Sequence, residues 1–132
     1  MEQQLTEDKT VRLTLPAEAG FARSVRMMAA NLAVVRGMSV DDVEDVRMAA
    51  EEGFVFSCAT CPAACDISFA LTGEGISMDF SLGEGSCEES EDQAESLDLA
   101  ELLLSAVCDS FEVTPDGRRL HVEKRLDAAH AE

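Results

Sequence analysis

No apolar run in this sequence is long enough to cross a membrane. The first residues, Met1-Glu2-Gln3-Gln4, also lack the basic-then-apolar order of a signal peptide. These two absences predict a cytoplasmic protein without a membrane-spanning segment. Because 132 residues with 46% hydrophobic content suffice for one ordinary globular domain, we expect a single domain over residues 10–126. It is flanked by a flexible amino terminus over 1–9 and a polar tail over 127–132.

Positive charge is scarce as well. The formal net charge is −17 at pH 7, and no Lys or Arg occurs between Arg47 and Arg118, where sixteen Asp and Glu residues fall. Nucleic-acid binding draws most of its affinity from neutralised phosphates, and an acidic surface opposes it at long range. The composition therefore argues against DNA and RNA as partners and favours a basic protein surface or a cation.

Five cysteines, an odd number, occur without an export signal, which predicts reduced thiols. Cys58, Cys61 and Cys65 have the close spacing that soft metals prefer, and Cys87 could supply a fourth thiolate. A strong metal signature would need a second Cys-x-x-Cys pair, and neither histidine is near in sequence. We therefore interpret these cysteines as structural thiols. A metal or redox sensor, including a redox-sensitive Cys58–Cys61 pair, is the alternative.

The first elements follow from hydrophobic periodicity. Alternation over Val11–Leu15 predicts a strand with one buried face, which Pro16 ends. A helix is predicted next, because apolar residues recur at intervals of three and four, and Gly37 is its expected carboxy-terminal cap. The apolar stripe of this helix consists of Phe21, Val25, Met28, Leu32 and Val35.

Ser39 is the expected N-cap of a second helix, which should end between Ser57 and Pro62. Its predicted buried face consists of Val43, Val46, Ala50 and Phe54. Two strands, Asp66–Leu71 and Ile76–Leu82, then form a predicted hairpin.

The acidic stretch 83–96 has the composition of a loop. It precedes a leucine-rich helix predicted over Leu97–Val107 and a hairpin with strands Phe111–Val113 and Leu120–Val122. The resulting order of five strands and three helices predicts a two-layer α/β sandwich. In it, three helices cover one face of a mixed, mostly antiparallel sheet.

Two stretches carry a resemblance to a known family. Residues 42–52 are similar to the N-box helix of the anti-sigma-factor serine kinases, small members of the histidine-kinase-like (GHKL) ATPase superfamily. Residues 102–113, with the turn and strand that follow, are similar to the last helix and closing hairpin of that family. Members of that family also open with a strand that ends in proline, as the predicted first strand does at Pro16. The resemblance covers roughly residues 10–126 and implies the Bergerat-type fold.

The resemblance implies roles for single residues. Glu52 falls at the position of the family's catalytic Glu, which orients the attacking group beside the nucleotide. The family's Mg²⁺-binding Asn falls on Phe56, which has no oxygen to offer a hard cation. The adenine-reading Asp and its glycines fall after Leu82, where only Gly83 and Gly85 remain.

The family's phosphate loop, whose backbone N–H groups face the anion, falls near Asp98 and Ala100. The acidic residues around it have no compensating Lys or Arg and would repel a triphosphate. Three of the family's four nucleotide-binding elements are thus replaced. ATP with Mg²⁺ is expected to bind weakly or not at all.

These features predict a regulatory protein-binding module rather than an enzyme. By resemblance, it would form a homodimer or hold a sigma-like factor or a STAS-type antagonist protein in bacterial transcription regulation. An active ATP-dependent protein-serine kinase that uses Glu52 is one alternative, and the cysteine-based sensor is the other. The predicted partner-binding residues are Phe21, Val25 and Met28 on the first helix and Glu88, Glu89, Glu91 and Asp92 in the acidic stretch.

Overall fold

A computed structural model describes residues 8–84 and 91–126, with side chains described at all of these except 91–97. The described chain forms five strands and three helices, with a short 3-10 turn before the first helix. The strands are β1 (Lys9–Leu15), β2 (Cys65–Thr72), β3 (Gly75–Ser81), β4 (Ser110–Val113) and β5 (Arg119–Arg125). The helices are α1 (Ala22–Arg36), α2 (Val40–Ala59) and α3 (Glu91–Val107).

The sheet has the strand order β1-β2-β3-β5-β4, and all four neighbouring pairs are antiparallel. The predicted α+β architecture is therefore confirmed. Its sheet is wholly antiparallel rather than mixed. Strands β3 and β4, which α3 connects, run in the same direction, but β5 lies between them and is antiparallel to both. Antiparallel sheets of this kind commonly bury one face and leave the other in water.

One face of the sheet is apolar and buried, because alternate residues of each strand point to the same side. Its fully buried side chains come from β2, β3 and β5 and lie opposite one another in register. They include Ile67, Phe69, Met78, Phe80, Leu120 and Val122. The helices pack on this face, with α2 in contact with both α1 and α3. The opposite face of the sheet carries polar side chains.

Helix α1 confirms only part of the predicted stripe. Val25 and Leu32 are buried as expected, together with Ala29 and Ala33, but Val35 is 58% exposed. The two alanines set the buried face, because their small side chains let the helix approach its neighbours closely. Val35 then lies about 100° around the helix from the centre of that face. Gly37 caps α1 in a left-handed conformation with φ 90°, as predicted.

Helix α2 begins and ends as predicted. The hydroxyl of Ser39 accepts a hydrogen bond of 3.1 Å from the backbone N–H of Asp42, which satisfies one free donor of the first turn. The helix ends at Ala59, and Val46, Ala50 and Phe54 are fully buried. Because α2 lies between two other helices and the sheet, it is buried over a wider arc than a surface helix.

Helix α3 corrects the prediction for the acidic stretch. It begins at Glu91, whereas residues up to 96 were expected to form a loop and the helix was expected to begin at Leu97. Acidic residues favour loops by composition, but they also favour the first turn of a helix through its dipole. Residues 85–90 lie outside the described residues, so the predictions for Gly85, Glu88 and Glu89 fall there. The side chains of Glu91 and Asp92 are likewise not among those described.

None of the helices formed by residues 8–84 and 91–126 combines the length and the apolar character needed to cross a bilayer.

Candidate functional site

Helix α2 places Glu52 and Phe56 one turn apart. The resemblance implies the same spacing for the catalytic Glu and the Mg²⁺-binding Asn of the family. Glu52 is half-buried; this burial raises its pKa, and the adjacent Glu51 carboxylate raises it further. Glu51 itself pairs with Arg26 at 3.1 Å. Glu52 is the residue to which the resemblance implies the role of the catalytic Glu.

Phe56 is only 7% exposed and belongs to the hydrophobic core. Leu82, at the end of the adjacent strand, packs against the same core. An aromatic ring thus occupies the position at which the resemblance to the anti-sigma-factor kinases implies a Mg²⁺ ligand. This ring has no lone pair for a hard cation.

Gly83 lies against the carboxy-terminal end of α2. Its backbone N–H donates a 2.7 Å hydrogen bond to the hydroxyl of Thr60, and a Cβ at this position would lie 2.6 Å from the nitrogen of Pro62. The preceding residue, Leu82, donates a 2.8 Å hydrogen bond to the carbonyl of Arg118. Close backbone packing is therefore sufficient to require glycine at position 83.

The positions at which the resemblance implies a phosphate loop lie inside α3. Asp98 is exposed and Ala100 is buried, and both come more than four residues after the helix begins at Glu91. Only the first four N–H groups of a helix are free to face an anion. The backbone at Asp98 and Ala100 therefore does not form an anion site of the expected kind.

The cysteines differ from the prediction of reduced thiols, because Cys61 is disulfide-bonded. Cys58 is free, so the proposed Cys58–Cys61 pair is not formed, and Cys65 and Cys108 are free as well. Burial raises the pKa of Cys58 and of Cys108 to about 11, with further increases from Cys65 and Glu18 at Cys58 and from Asp109 at Cys108. This disfavours the reactive thiolate. Spacing alone could not reveal this arrangement, because disulfide formation depends on distances in space.

A metal site at the cysteines was the weaker alternative. Within the described part of the chain, no group of three or more His, Cys, Asp or Glu side chains is arranged to hold a metal ion. Cys87, the predicted fourth thiolate, lies outside that part.

The predicted docking residues of α1 need correction. Val25 is fully buried and cannot meet a partner, while Phe21 and Met28 are partly buried and pack against the core. The apolar residues that α1 does expose are Met27, Val34 and Val35, at 62%, 63% and 58%. The spacing rule selected the stripe that builds the protein's own core, so the solvent-facing residues were missed.

Exposed apolar side chains concentrate on the helices. Of the eight large hydrophobic residues that are exposed in the described structure, seven lie on α1, α2 or α3 and one lies on β4. The eight are Met27, Val34, Val35, Val40, Met48, Leu99, Leu102 and Val113. Exposed apolar residues that cluster on one layer are typical of protein-interaction surfaces.

The open face of the sheet carries a polar cluster that sequence reasoning missed. His121 on β5 lies opposite Asp79 on β3; its Nδ1 is 2.8 Å from an Asp79 carboxylate oxygen, and its Nε2 is 3.0 Å from one of Glu123. Partial burial lowers the pKa of His121, but the hydrogen bonds and charges of Glu123 and Asp79 outweigh it, so the pKa is raised. The sequence does not show which residues of β3 and β5 lie opposite one another, so this cluster could not be predicted from it.

We expect His121 to stabilise the fold only while it is protonated. Because its pKa is higher in the folded state than in the unfolded chain, the stabilisation is complete below the unfolded value of about 6.5 and is lost as the pH rises through the folded value. Asp79, Glu123 and Glu112 are the charged neighbours that face the ring along the strands. NMR titration of the ring should give a pKa above that of a free histidine.

The control for this expectation is His121→Gln, which should flatten the pH dependence of unfolding in this range. An ordinary or lowered pKa for His121, or an unchanged stability profile in the variant, would contradict the assignment.

The comparisons with known proteins leave the chain without an assigned family. No model of a known protein family matches the sequence, and no curated protein matches it either. The structure is an α+β sandwich. The open face of its sheet is polar, and its helices carry most of the exposed apolar side chains of the described residues.

Proposed function

We propose that this chain is a regulatory protein-binding module related to the anti-sigma-factor kinases, with ATP binding lost or weak. The observation that carries the proposal is the burial of Phe56 in the core at the position where those kinases bind Mg²⁺. The placement of Asp98 and Ala100 within α3, rather than in a phosphate-binding loop, supports it. In this proposal Glu52 is a retained catalytic residue of the family, whereas the Mg²⁺ ligand and the phosphate loop are lost.

The helix layer is the surface that supports protein binding. It presents seven of the eight exposed large hydrophobic side chains of the described residues, while the open sheet face presents hydroxyl and charged groups. Burial of such residues is the main source of affinity in protein interfaces. In this proposal α1 contributes Met27, Val34 and Val35 in place of the buried Val25.

By resemblance, the partner would be a sigma-like factor, a STAS-type antagonist or a second copy of the chain. The net charge of −17 disfavours nucleic acid and favours partners with basic surfaces. A cytoplasmic location, where such partners act, belongs to the same proposal.

Isothermal titration with ATP and Mg²⁺ tests the nucleotide part of the proposal. We expect no binding in the micromolar range, because the position that should hold the metal presents a buried ring and the surrounding charge is negative. Saturable micromolar binding that requires Mg²⁺ would overturn it.

An active protein-serine kinase is the second candidate, and the position and raised pKa of Glu52 favour it. It requires ATP-dependent phosphate transfer to a STAS-type protein that disappears in Glu52→Ala. The absence of transfer to any such protein would leave the binding module as the better description.

A further inference from the structure

Helix α3 presents an apolar pair on its outer side. Leu99 and Leu102 are 54% and 65% exposed, and their spacing of three residues places them side by side on consecutive turns. The helix packs its other side on α2, where Ala100 and Leu104 are buried. The two leucines therefore form a ridge that nothing in the described structure covers.

The charged residues of α3 itself all have one sign. Asp98 and Glu101 are exposed next to the leucines, and α3 contains no Lys or Arg along its whole length. The nearest basic residues in sequence are Arg47 and Arg118, so the helix lies within the acidic half of the chain. A second acidic surface, including a copy of this one, would be repelled at long range.

Helix α1 provides the contrast. It also exposes apolar residues, Met27, Val34 and Val35, but it contains three arginines and no carboxylate. Two of these arginines are already engaged, Arg26 with Glu51 and Arg36 with the carbonyl groups of residues 72 and 73. Helix α2 exposes Val40 and Met48, but they are eight residues apart and the helix contains Arg47. Among the helices that the structure describes, α3 alone combines two adjacent exposed leucines with carboxylates and no Lys or Arg.

We propose that the outer face of α3 docks a basic amphipathic helix of a partner protein. The apolar side of that helix covers Leu99 and Leu102, and its Lys or Arg residues flank them and meet Asp98 and Glu101. A helix fits better than a strand, because residues three apart on α3 form a ridge that packs into the groove of another helix. The inference rests on the proposed protein-binding function and names the chemistry of the partner.

The probe is a synthetic peptide of about 18 residues with a leucine stripe and lysines on its flanks, long enough to form a helix when bound. Its binding to the full chain is followed by fluorescence anisotropy at several salt concentrations. We expect binding that weakens with salt. The double variant Leu99→Ser and Leu102→Ser should weaken it about tenfold or more. The control, Val113→Ser on β4, replaces an apolar residue that is 43% exposed outside the helix layer and should change it less than about twofold.

Charge reversal supplies the sharper test. The double variant Asp98→Lys and Glu101→Lys should lose affinity for the lysine peptide and gain it for the same peptide with glutamate in place of lysine. All four substituted side chains are exposed, so thermal unfolding should confirm that each variant remains folded.

The outcomes separate the two proposals. A lysine peptide that does not bind, or that binds all variants equally, would overturn the assignment to α3. Loss of binding in Val113→Ser alone would overturn it too, because β4 is not part of the helix layer. Micromolar binding of ATP with Mg²⁺ would instead overturn the proposed function. The effect of the charge reversal on peptide affinity would not depend on that result.

Discussion

Gly83→Ala is expected to destabilise the folded state by about 2 kcal/mol, as overpacking of a close contact commonly does. The added methyl group would overlap the carbonyl oxygen of Thr60 and lie 2.6 Å from the nitrogen of Pro62. These are backbone atoms at the end of α2, so they cannot move aside as a flexible side chain can. The hydrogen bond from the Gly83 N–H to the Thr60 hydroxyl, 2.7 Å long, would be disturbed as well.

Gly73→Ala is the matched control, because a Cβ at Gly73 meets no atom within 4 Å. Guanidinium denaturation of both variants gives the comparison directly. Equal stabilities would show that Gly83 is not required by packing. The glycine would then be better explained by the proposed resemblance to the anti-sigma-factor kinases, whose nucleotide site has glycines after the matching strand.

Phe56→Asn is expected to have the larger effect, a loss of about 3–5 kcal/mol of unfolding free energy. The substitution introduces the Mg²⁺-binding Asn that the proposed resemblance implies at this position, but it removes the aromatic ring of a residue that is only 7% exposed and places an amide in the core. We expect no gain of ATP binding, because the phosphate-loop positions remain inside α3. Denaturation and isothermal titration measure the two effects separately.

A loss of this size is a large part of the stability of an ordinary domain, so the asparagine variant need not fold. Phe56→Leu keeps the site apolar and should cost clearly less than Phe56→Asn. A Phe56→Asn protein with unchanged stability, or with Mg²⁺-dependent ATP binding, would show that the position faces an open nucleotide site.

The interior of the sheet was the most predictable part of the fold. The alternation over Ile76–Leu82 identified β3 and its buried face, and Met78 and Phe80 are fully buried as that pattern requires. Helix α3 was less predictable at its start, because acidic residues are compatible with both a loop and a first helical turn. Its buried part, which includes Leu104, followed from its leucine content.

The candidate site was predicted unevenly. Glu52 and Phe56 are one turn apart on α2, as their spacing indicated, and Phe56 is buried as an apolar residue should be. Val25, one of the predicted docking residues, is fully buried, because a periodic apolar stripe identifies the side of a helix that packs inward. Met27 and Leu102 are apolar but exposed. Their type does not distinguish them from core residues, and only their exposed fraction in the folded protein does.

The sequence by itself determined the features that depend on contacts within a few residues. These are the cap at Ser39, the turn at Gly37 and the alternating strands. The tertiary structure alone decided the pairing of His121 with Asp79, which are 42 residues apart, and the disulfide state of Cys61. It also decided which side of α1 is buried, through the close packing of Ala29 and Ala33. These features depend on register and distance between remote segments, and periodicity along the chain carries no information about either.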